Sequence, residues 1–313
     1  MKEKIREILL KTGAVKVGFA RAGEIDCEAH TSYVKWINDG YHGDMAYLHR
    51  HIPLRKHTDN VLPEASSIIS LAFSYFPNEW RSEKMAAVAS YAYGEDYHIV
   101  LKEILQPVVK SLQKEYGGKW RICVDSAPVA ERYWAMKAGI GKRGLNGSII
   151  VDGCGSFCFL VEILTTLKIE PDVSSCENCE GCGNCVRVCP GKALLGDGTI
   201  NAKRCVNYLT IEKSNDFTLE EEEILKTGKG YLYGCDLCIR ICPHNRKISP
   251  TLIPQFSLTE KVKSLSPQKI ISMDKTEFKS VFSKSPFLYA GYSRVFRNAL
   301  LAKRDNSSDI VDF

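Results

Sequence analysis

The chain has 313 residues, 44% of them hydrophobic and 25% charged, with a formal net charge of +5. That balance excludes a disordered or fibrous chain, and the length allows two domains or one large domain with an insert. The mild positive charge permits a nucleic-acid partner without arguing for one. No apolar run is long enough to span a bilayer, no signal peptide or twin-arginine pair opens the chain, and thirteen cysteines in so large a protein point to a reducing cytoplasm, not to disulfide staples.

In chain order, residues 3–12 predict a helix, 14–20 a strand and 33–38 a helix that the Tyr41–Met45 stretch breaks. Residues 65–75 (ASSIISLAFSY) predict a strand buried on both faces. Residues 97–115 carry helical periodicity through Val100, Leu101, Ile104, Leu105, Val108 and Leu112, and Pro107 is expected to kink them. A strand at 120–124, a helix at 128–138 and strands at 148–151 and 157–164 follow. This alternation predicts a layered α/β unit up to about residue 168. Residues 171–175 form a polar joint to a cysteine-rich segment running to about 250, which contains an acidic helix at 218–226. Residues 251–313 predict a short helical region, with helices near 274–282 and 293–301 and a frayed polar end.

The cysteine-rich segment carries the strongest signal. Cys179-x2-Cys182-x2-Cys185-x3-Cys189-Pro190 has the spacing of a bacterial ferredoxin, and Cys235-x2-Cys238-x3-Cys242-Pro243 has its latter half, with Cys205 alone upstream. Two-residue gaps let a short loop wrap one cubane, and the cysteine before proline points to the other cluster. One [4Fe–4S] cluster is therefore expected on Cys179, Cys182, Cys185 and Cys242, and a second on Cys189, Cys205, Cys235 and Cys238. Zinc knuckles are the plain alternative for paired C-x2-C motifs, but zinc sites rarely use a three-cysteine run that ends in Cys-Pro. Cys27, Cys123, Cys154, Cys158 and Cys176 are left as free thiols or small hydrophobes.

Other motifs are weaker. Gly139-x-Gly141-x-x-Gly144 matches a dinucleotide fingerprint but follows a helix where a strand is required, so Gly139 reads better as a helix C-cap. Asp125 lies where a strand gives way to a helix; it is either an N-cap or a carboxylic acid at the strand end, where open sheets place ligands. Arg132 could hold an anion or pair with a carboxylate. The histidines at 42, 49, 51 and 57 match no zinc spacing. Asp96-Tyr97-His98 begins like a cobalamin-ligating stretch, but Leu101 stands where that pattern needs glycine.

Taken together, Arg55 with Leu62–Ser70, Tyr93–His98, Val124–Pro128 with Glu131-Arg132, Lys137–Gly141, Arg204–Thr210 and Tyr233–Cys238 resemble the epoxyqueuosine reductases over about residues 1–300. The resemblance implies a nitroreductase-like cobalamin-binding domain over 1–168, a ferredoxin-like double-[4Fe–4S] domain over 169–250 and the short helical region over 251–313. It implies reduction of epoxyqueuosine to queuosine at the wobble position of tRNA, with cobalamin and two clusters. Asp125 would be the proton donor, its acidity lowered by burial beside the corrin. Cobalamin contacts are expected at Arg55, Asp125, Ile149, Leu160, Ile163, Asn207, Cys235 and Asp236, and tRNA contacts at Arg132 and Lys213. An external donor of the flavodoxin or ferredoxin kind, a monomer and no membrane complete the expectation. Many members carry a long C-terminal repeat extension; here residues 251–313 hold ten Lys or Arg against six Asp or Glu. A reductive dehalogenase and a simple ferredoxin-type carrier are the competing readings, disfavoured by the missing twin-arginine signal and by the 165 residues that a carrier would not need.

Overall fold

A buried, β-branched segment at the middle of the first half organises the molecule. In the computed structural model, which describes residues 1–174, 178–227 and 230–306, the strands are β1 (Lys16–Arg21), β2 (Ser67–Ser74), β3 (Ala87–Val88), β4 (Trp120–Cys123), β5 (Lys142–Arg143), β6 (Ile149–Ile150), β7 (Cys158–Thr165) and β8 (Tyr231–Tyr233). Cys176 lies outside the described residues. The main sheet has the order β1-β2-β7-β4. Every residue of β2 is buried, as the sequence predicts for a central strand.

Period-two alternation divides β2 between two cores. Ile69, Leu71 and Phe73 pack with Ile5, Leu9 and the apolar face of the Tyr97–Tyr116 helix. Ile68 and Ala72 face the other way, toward Trp134 and Ala135 of the Glu131–Lys137 helix. Helices thus cover both faces, as the layered expectation requires. The three strand pairs are all antiparallel, so the unit is a mixed α+β arrangement and not a parallel doubly wound sheet.

Local chemistry sets the element ends. Asp96 caps the Tyr97–Tyr116 helix by accepting the His98 N–H at 2.9 Å. That helix runs through Pro107 as one 20-residue element. The Glu131–Lys137 helix ends in a Schellman motif: Gly139, with φ +68°, donates to Met136 O, and Ile140 N–H donates to Ala135 O. Gly139 is therefore the expected C-cap and no part of a nucleotide loop. The same helix begins at Glu131, three residues later than predicted, because Val129 N–H closes a tight turn onto Ala127 O.

The C-terminal segments return to the first half. β3 pairs in parallel with β8. Tyr93, Leu232 and Tyr233 share a core with Phe278, Phe282, Phe287 and Val295. The last helix, Phe287–Asn306, kinks at Gly291, whose φ is +77°. Among the described residues no helix is long and apolar enough to cross a membrane.

Candidate active site and cluster cysteines

The seven cysteines of the two runs and Cys205 form two groups. Cys179, Cys182, Cys185 and Cys242 together line a cavity of about 70 Å³, with Asn146, Glu180 and His244 at its edge. Burial raises the Cys242 thiol, as do the neighbouring Cys185, Cys182 and Cys179. In the second group burial comes first again: it pushes Cys235 up to about 12 and Cys238 well above its ordinary value, and the charges of Cys205 and Cys189 add to both shifts. Thiols that resist ionisation when empty-handed are stabilised as thiolates by the irons they bind. The Cys189 Sγ accepts the Ala193 N–H at 3.2 Å, a bond that would tune a cluster's potential.

Asp125 lies just beyond the end of β4, in the loop that joins it to the Glu131–Lys137 helix. Its φ is +52°, in the left-handed region. It is no N-cap: that position belongs to Ala130. The Asp125 Oδ2 accepts the Tyr97 hydroxyl at 2.5 Å and lies 3.6 Å from His98 Nε2, while His98 Nδ1 is 2.8 Å from Asp96 Oδ1. Tyr97 is held flat against Phe159, with ring centroids 4.2 Å apart. Burial would lower the His98 imidazolium, but its bonds to Asp125 and Asp96 prevail and raise it to about 9. The expectation that burial raises Asp125 fails. Burial does act upward, but the His98 and Tyr97 hydrogen bonds outweigh it and hold the carboxyl below its ordinary range. The side chain is also 56% exposed. The dissociable proton of this pair therefore rests on His98 at neutral pH.

Two further carboxyls stand behind Asp125. Glu131 Oε1 accepts the Asp125 N–H at 2.7 Å, and burial, then the charge of Asp125, raises Glu131 to about 8. Glu162, on β7, is fully buried. Its Oε1 sits 3.5 Å from Ser70 Oγ and its Oε2 has no partner among the described residues. Burial raises it well above the carboxylate range. Neither glutamate was singled out from sequence for a role at the site.

The other expected site residues divide. Arg132 is exposed, and its charge acts on both Asp125 and Glu131. Arg55 stacks its guanidinium 5.1 Å from the Tyr33 ring and acts on Glu131, and its Nε is buried without a partner. Ile149 and Leu160 pack in the core on the Glu131–Lys137 side of the sheet. Ile163 does not join them: it is fully buried in the opposite core, because three positions along a strand reverse the face. Asn207 follows Cys205 on the Val206–Ile211 helix. Asp236 is buried and accepts the Ser90 N–H at 2.5 Å, which makes it a structural tie. Lys213 is not free for a substrate. It pairs with Glu221 at 3.2 Å, both side chains largely buried, in a separate cavity that Lys203 and Tyr208 also line.

A family model described as "Epoxyqueuosine reductase QueG, DUF1730" matches residues 55–126, and one described as "4Fe-4S double cluster binding domain" matches residues 178–245. An epoxyqueuosine reductase of Cyclobacterium marinum is 34% identical over 97% of this chain and 99% of its own length. The chain belongs to the epoxyqueuosine reductase family. Two solved epoxyqueuosine reductases share its fold. One was solved with an epoxyqueuosine-modified tRNA-Tyr stem loop (TM-score 0.86, 28% identity, 96% of this chain and 80% of that one). The other, from Bacillus subtilis, was solved with its catalytic aspartate loop swung out of the active site (TM-score 0.85, 26% identity, 98% and 82%).

As an epoxyqueuosine reductase the chain is an oxidoreductase that reduces epoxyqueuosine in tRNA, and its cysteine segment is a double iron–sulfur domain. Cobalamin, which the family resemblance implies, fits the residues present. The orphaned Arg55 Nε suits the amide- and phosphate-bearing periphery of a corrinoid. Leu160, partly exposed on β7, offers apolar surface, and the Asp125 side chain is more than half exposed.

Proposed function

We propose that this chain reduces the epoxide of epoxyqueuosine in tRNA to the cyclopentene of queuosine, with Asp125 as proton donor, His98 as the proton's store and cobalamin as cofactor. The observation that carries the reading is the Asp96–His98–Asp125 array, in which one imidazole bridges two carboxylates at the open end of the sheet. Removing the epoxide oxygen as water consumes two electrons and two protons. Cobalamin bound against Arg55, Asn207, Ile149 and Leu160 would supply a low-valent cobalt able to open the strained C–O bond. Two clusters on the paired cysteine sets would deliver electrons one at a time, from an external flavodoxin- or ferredoxin-type donor.

The proton side belongs to the chain's own residues. Tyr97 orients the Asp125 carboxylate through a hydrogen bond, and His98 through an ion pair at 3.6 Å. As negative charge develops on the leaving oxygen, the His98 Nε2 proton passes to Asp125 Oδ2 and on to that oxygen, and a second passage, after His98 has taken a proton from solvent, completes the water. Asp96, already bonded to Nδ1, keeps the ring oriented and basic. Arg132, exposed beside Asp125, is positioned to meet a tRNA phosphate. The modified nucleoside must leave its stack, at a cost of roughly a few kcal/mol. The nitroreductase-like description of the sheet unit and a monomeric state belong to the same proposal.

The test is mass spectrometry of nucleosides after anaerobic incubation of the reconstituted, reduced protein with an epoxyqueuosine-containing stem loop. Queuosine should accumulate with the native chain and not with Asp125→Asn. Persistence of the epoxide with both clusters reduced and corrin retained would refute the proposal.

A further inference from the structure

We infer that Glu131 is the positioning residue that latches the Asp125 loop into its working place; the inference rests on the reading of Asp125 as the acid. Residues 124–130 contain no regular secondary structure, and Asp125 holds a left-handed φ of +52°, a conformation that costs a non-glycine residue on the order of 1 kcal/mol. Something outside the loop must hold it. The bonds Ser126 N–H to Val124 O and Val129 N–H to Ala127 O lie within the loop and travel with it.

Besides the Trp134 N–H to Ala130 O bond where the helix begins and the His98 ion pair on the Asp125 carboxylate, three hydrogen bonds among the described residues tie Asp125 and Ser126 to their surroundings. Tyr97 grips the Asp125 carboxylate, the group that changes protonation during turnover, so this bond is remade in every cycle. Lys102 Nζ reaches Ser126 Oγ at 3.4 Å, a long bond between two side chains. The Glu131 bond is made to the backbone of Asp125 itself: its Oε1 accepts the Asp125 N–H at 2.7 Å, and a carboxyl oxygen accepts that N–H whether Glu131 is neutral or charged. Its anchor is firm, because Glu131 starts a helix whose Trp134 and Ala135 are buried against the sheet. The Bacillus subtilis relative solved with its catalytic aspartate loop swung out shows that such a loop can leave. In this chain the Asp125 N–H to Glu131 bond is a backbone bond that departure of Asp125 must break.

The experiment is hydrogen exchange, read by mass spectrometry on the intact reconstituted protein, of the peptide spanning residues 124–130. Glu131→Met removes the acceptor, Glu131→Gln keeps a carbonyl oxygen in the same place, and Glu131→Asp is one methylene too short. Exchange should quicken on the order of tenfold in the Met and Asp variants and stay near native in the Gln variant. Turnover should follow with kcat down by a similar factor and KM for the stem loop within about twofold, again rescued by Gln. Native-like exchange in a folded Asp or Met variant would overturn the latch. If the Met variant does not fold, the Asp variant decides. Should exchange respond as expected while Asp125→Asn keeps full turnover, the latch stands and the assignment of Asp125 as acid falls.

Discussion

Replacing His98 with glutamine should move the pH dependence of the reaction, and the structure says how far. In the native chain the Asp125–His98 pair keeps its proton up to about pH 9. Without the imidazole the carboxyl must supply its own proton, and an ordinary aspartate loses it near pH 4. At pH 7.5 the protonated share would fall by roughly three orders of magnitude. Because the Asp125 side chain is more than half exposed, solvent protons and loop rearrangement soften this, and the expected loss of kcat is about 100-fold. The assay is single-turnover conversion of an epoxyqueuosine stem loop from pH 5 to pH 9.5. The native rate should be flat and then fall near 9, whereas the His98→Gln rate should rise about tenfold per pH unit toward acid. The stability effect has its own window. The raised His98 value contributes fully below its unfolded pKa of about 6.5 and is lost as pH rises through about 9. The depressed Asp125 contributes above its unfolded value and is lost toward acid. The rise from 6.5 to about 9 corresponds to at most ~3 kcal/mol, and residual solvent reduces that to roughly 1–2 kcal/mol. The Tm gap between native and variant protein should therefore be widest between about pH 4 and pH 6.5, shrink through neutrality and close above pH 9. Superimposable pH–rate profiles would refute the proton store.

Further consequences are as specific. Asp125→Asn should retain corrin, seen in the visible spectrum after desalting, yet convert no epoxide. Cys242→Ser and Cys205→Ser should each lose one cluster and keep the other, so iron content after anaerobic reconstitution should drop from about eight to about four per chain in either variant; loss of both clusters from one substitution would break the two-set assignment. Gly139→Ala should destabilise by about 1–2 kcal/mol, since φ is +68° and the new Cβ would meet Val173 O at 2.6 Å. This is measurable as a lower denaturation midpoint. Glu162→Gln should be nearly silent at pH 7, within about 1 kcal/mol, because burial drives the carboxyl toward its neutral form; a large loss would mean that it is ionised and paired.

The parts legible in sequence were those written in local spacing. A cluster loop is specified by the gaps between its own cysteines, so the four thiols lining one cavity could be grouped before any fold was known. β2 was legible because a strand buried on both faces must be apolar throughout. What escaped depended on distant segments meeting. Tyr97 and His98 reach Asp125 only because the start of their helix lies against the loop after β4. Nothing in the local sequence carries that. The burial expected to raise Asp125 failed for the same reason, since its acidity is set by a histidine 27 positions away. Lys213 was read as free, but its partner Glu221 sits on the acidic helix whose capping box with Thr218 also uses that glutamate. Ile163 was a different kind of miss, because its odd spacing from Leu160 already put the two on opposite faces.

The tie between the electron side and the proton side is built from a short chain of contacts. Cys235 and Cys238 flank Asp236, which is buried and holds the Ser90 N–H. The next residue, Tyr91, meets the Tyr97 ring edge-on at 6.4 Å, and the Tyr97 hydroxyl grips Asp125. Burial keeps Tyr91 and Tyr97 well above the ordinary phenol range, so both remain neutral donors at any working pH, and neither competes with His98 as a proton source. A rigid, neutral aromatic bridge between a thiolate-rich loop and an acid serves placement: it fixes the distance between the group that gives electrons and the group that gives a proton without adding a charge between them. Tyr97→Phe should therefore leave iron content and corrin retention unchanged while lowering kcat, because only the hydroxyl on Asp125 is lost. A variant that lost a cluster along with the hydroxyl would mean that the bridge serves the fold of the cluster loop and not the placement of the acid.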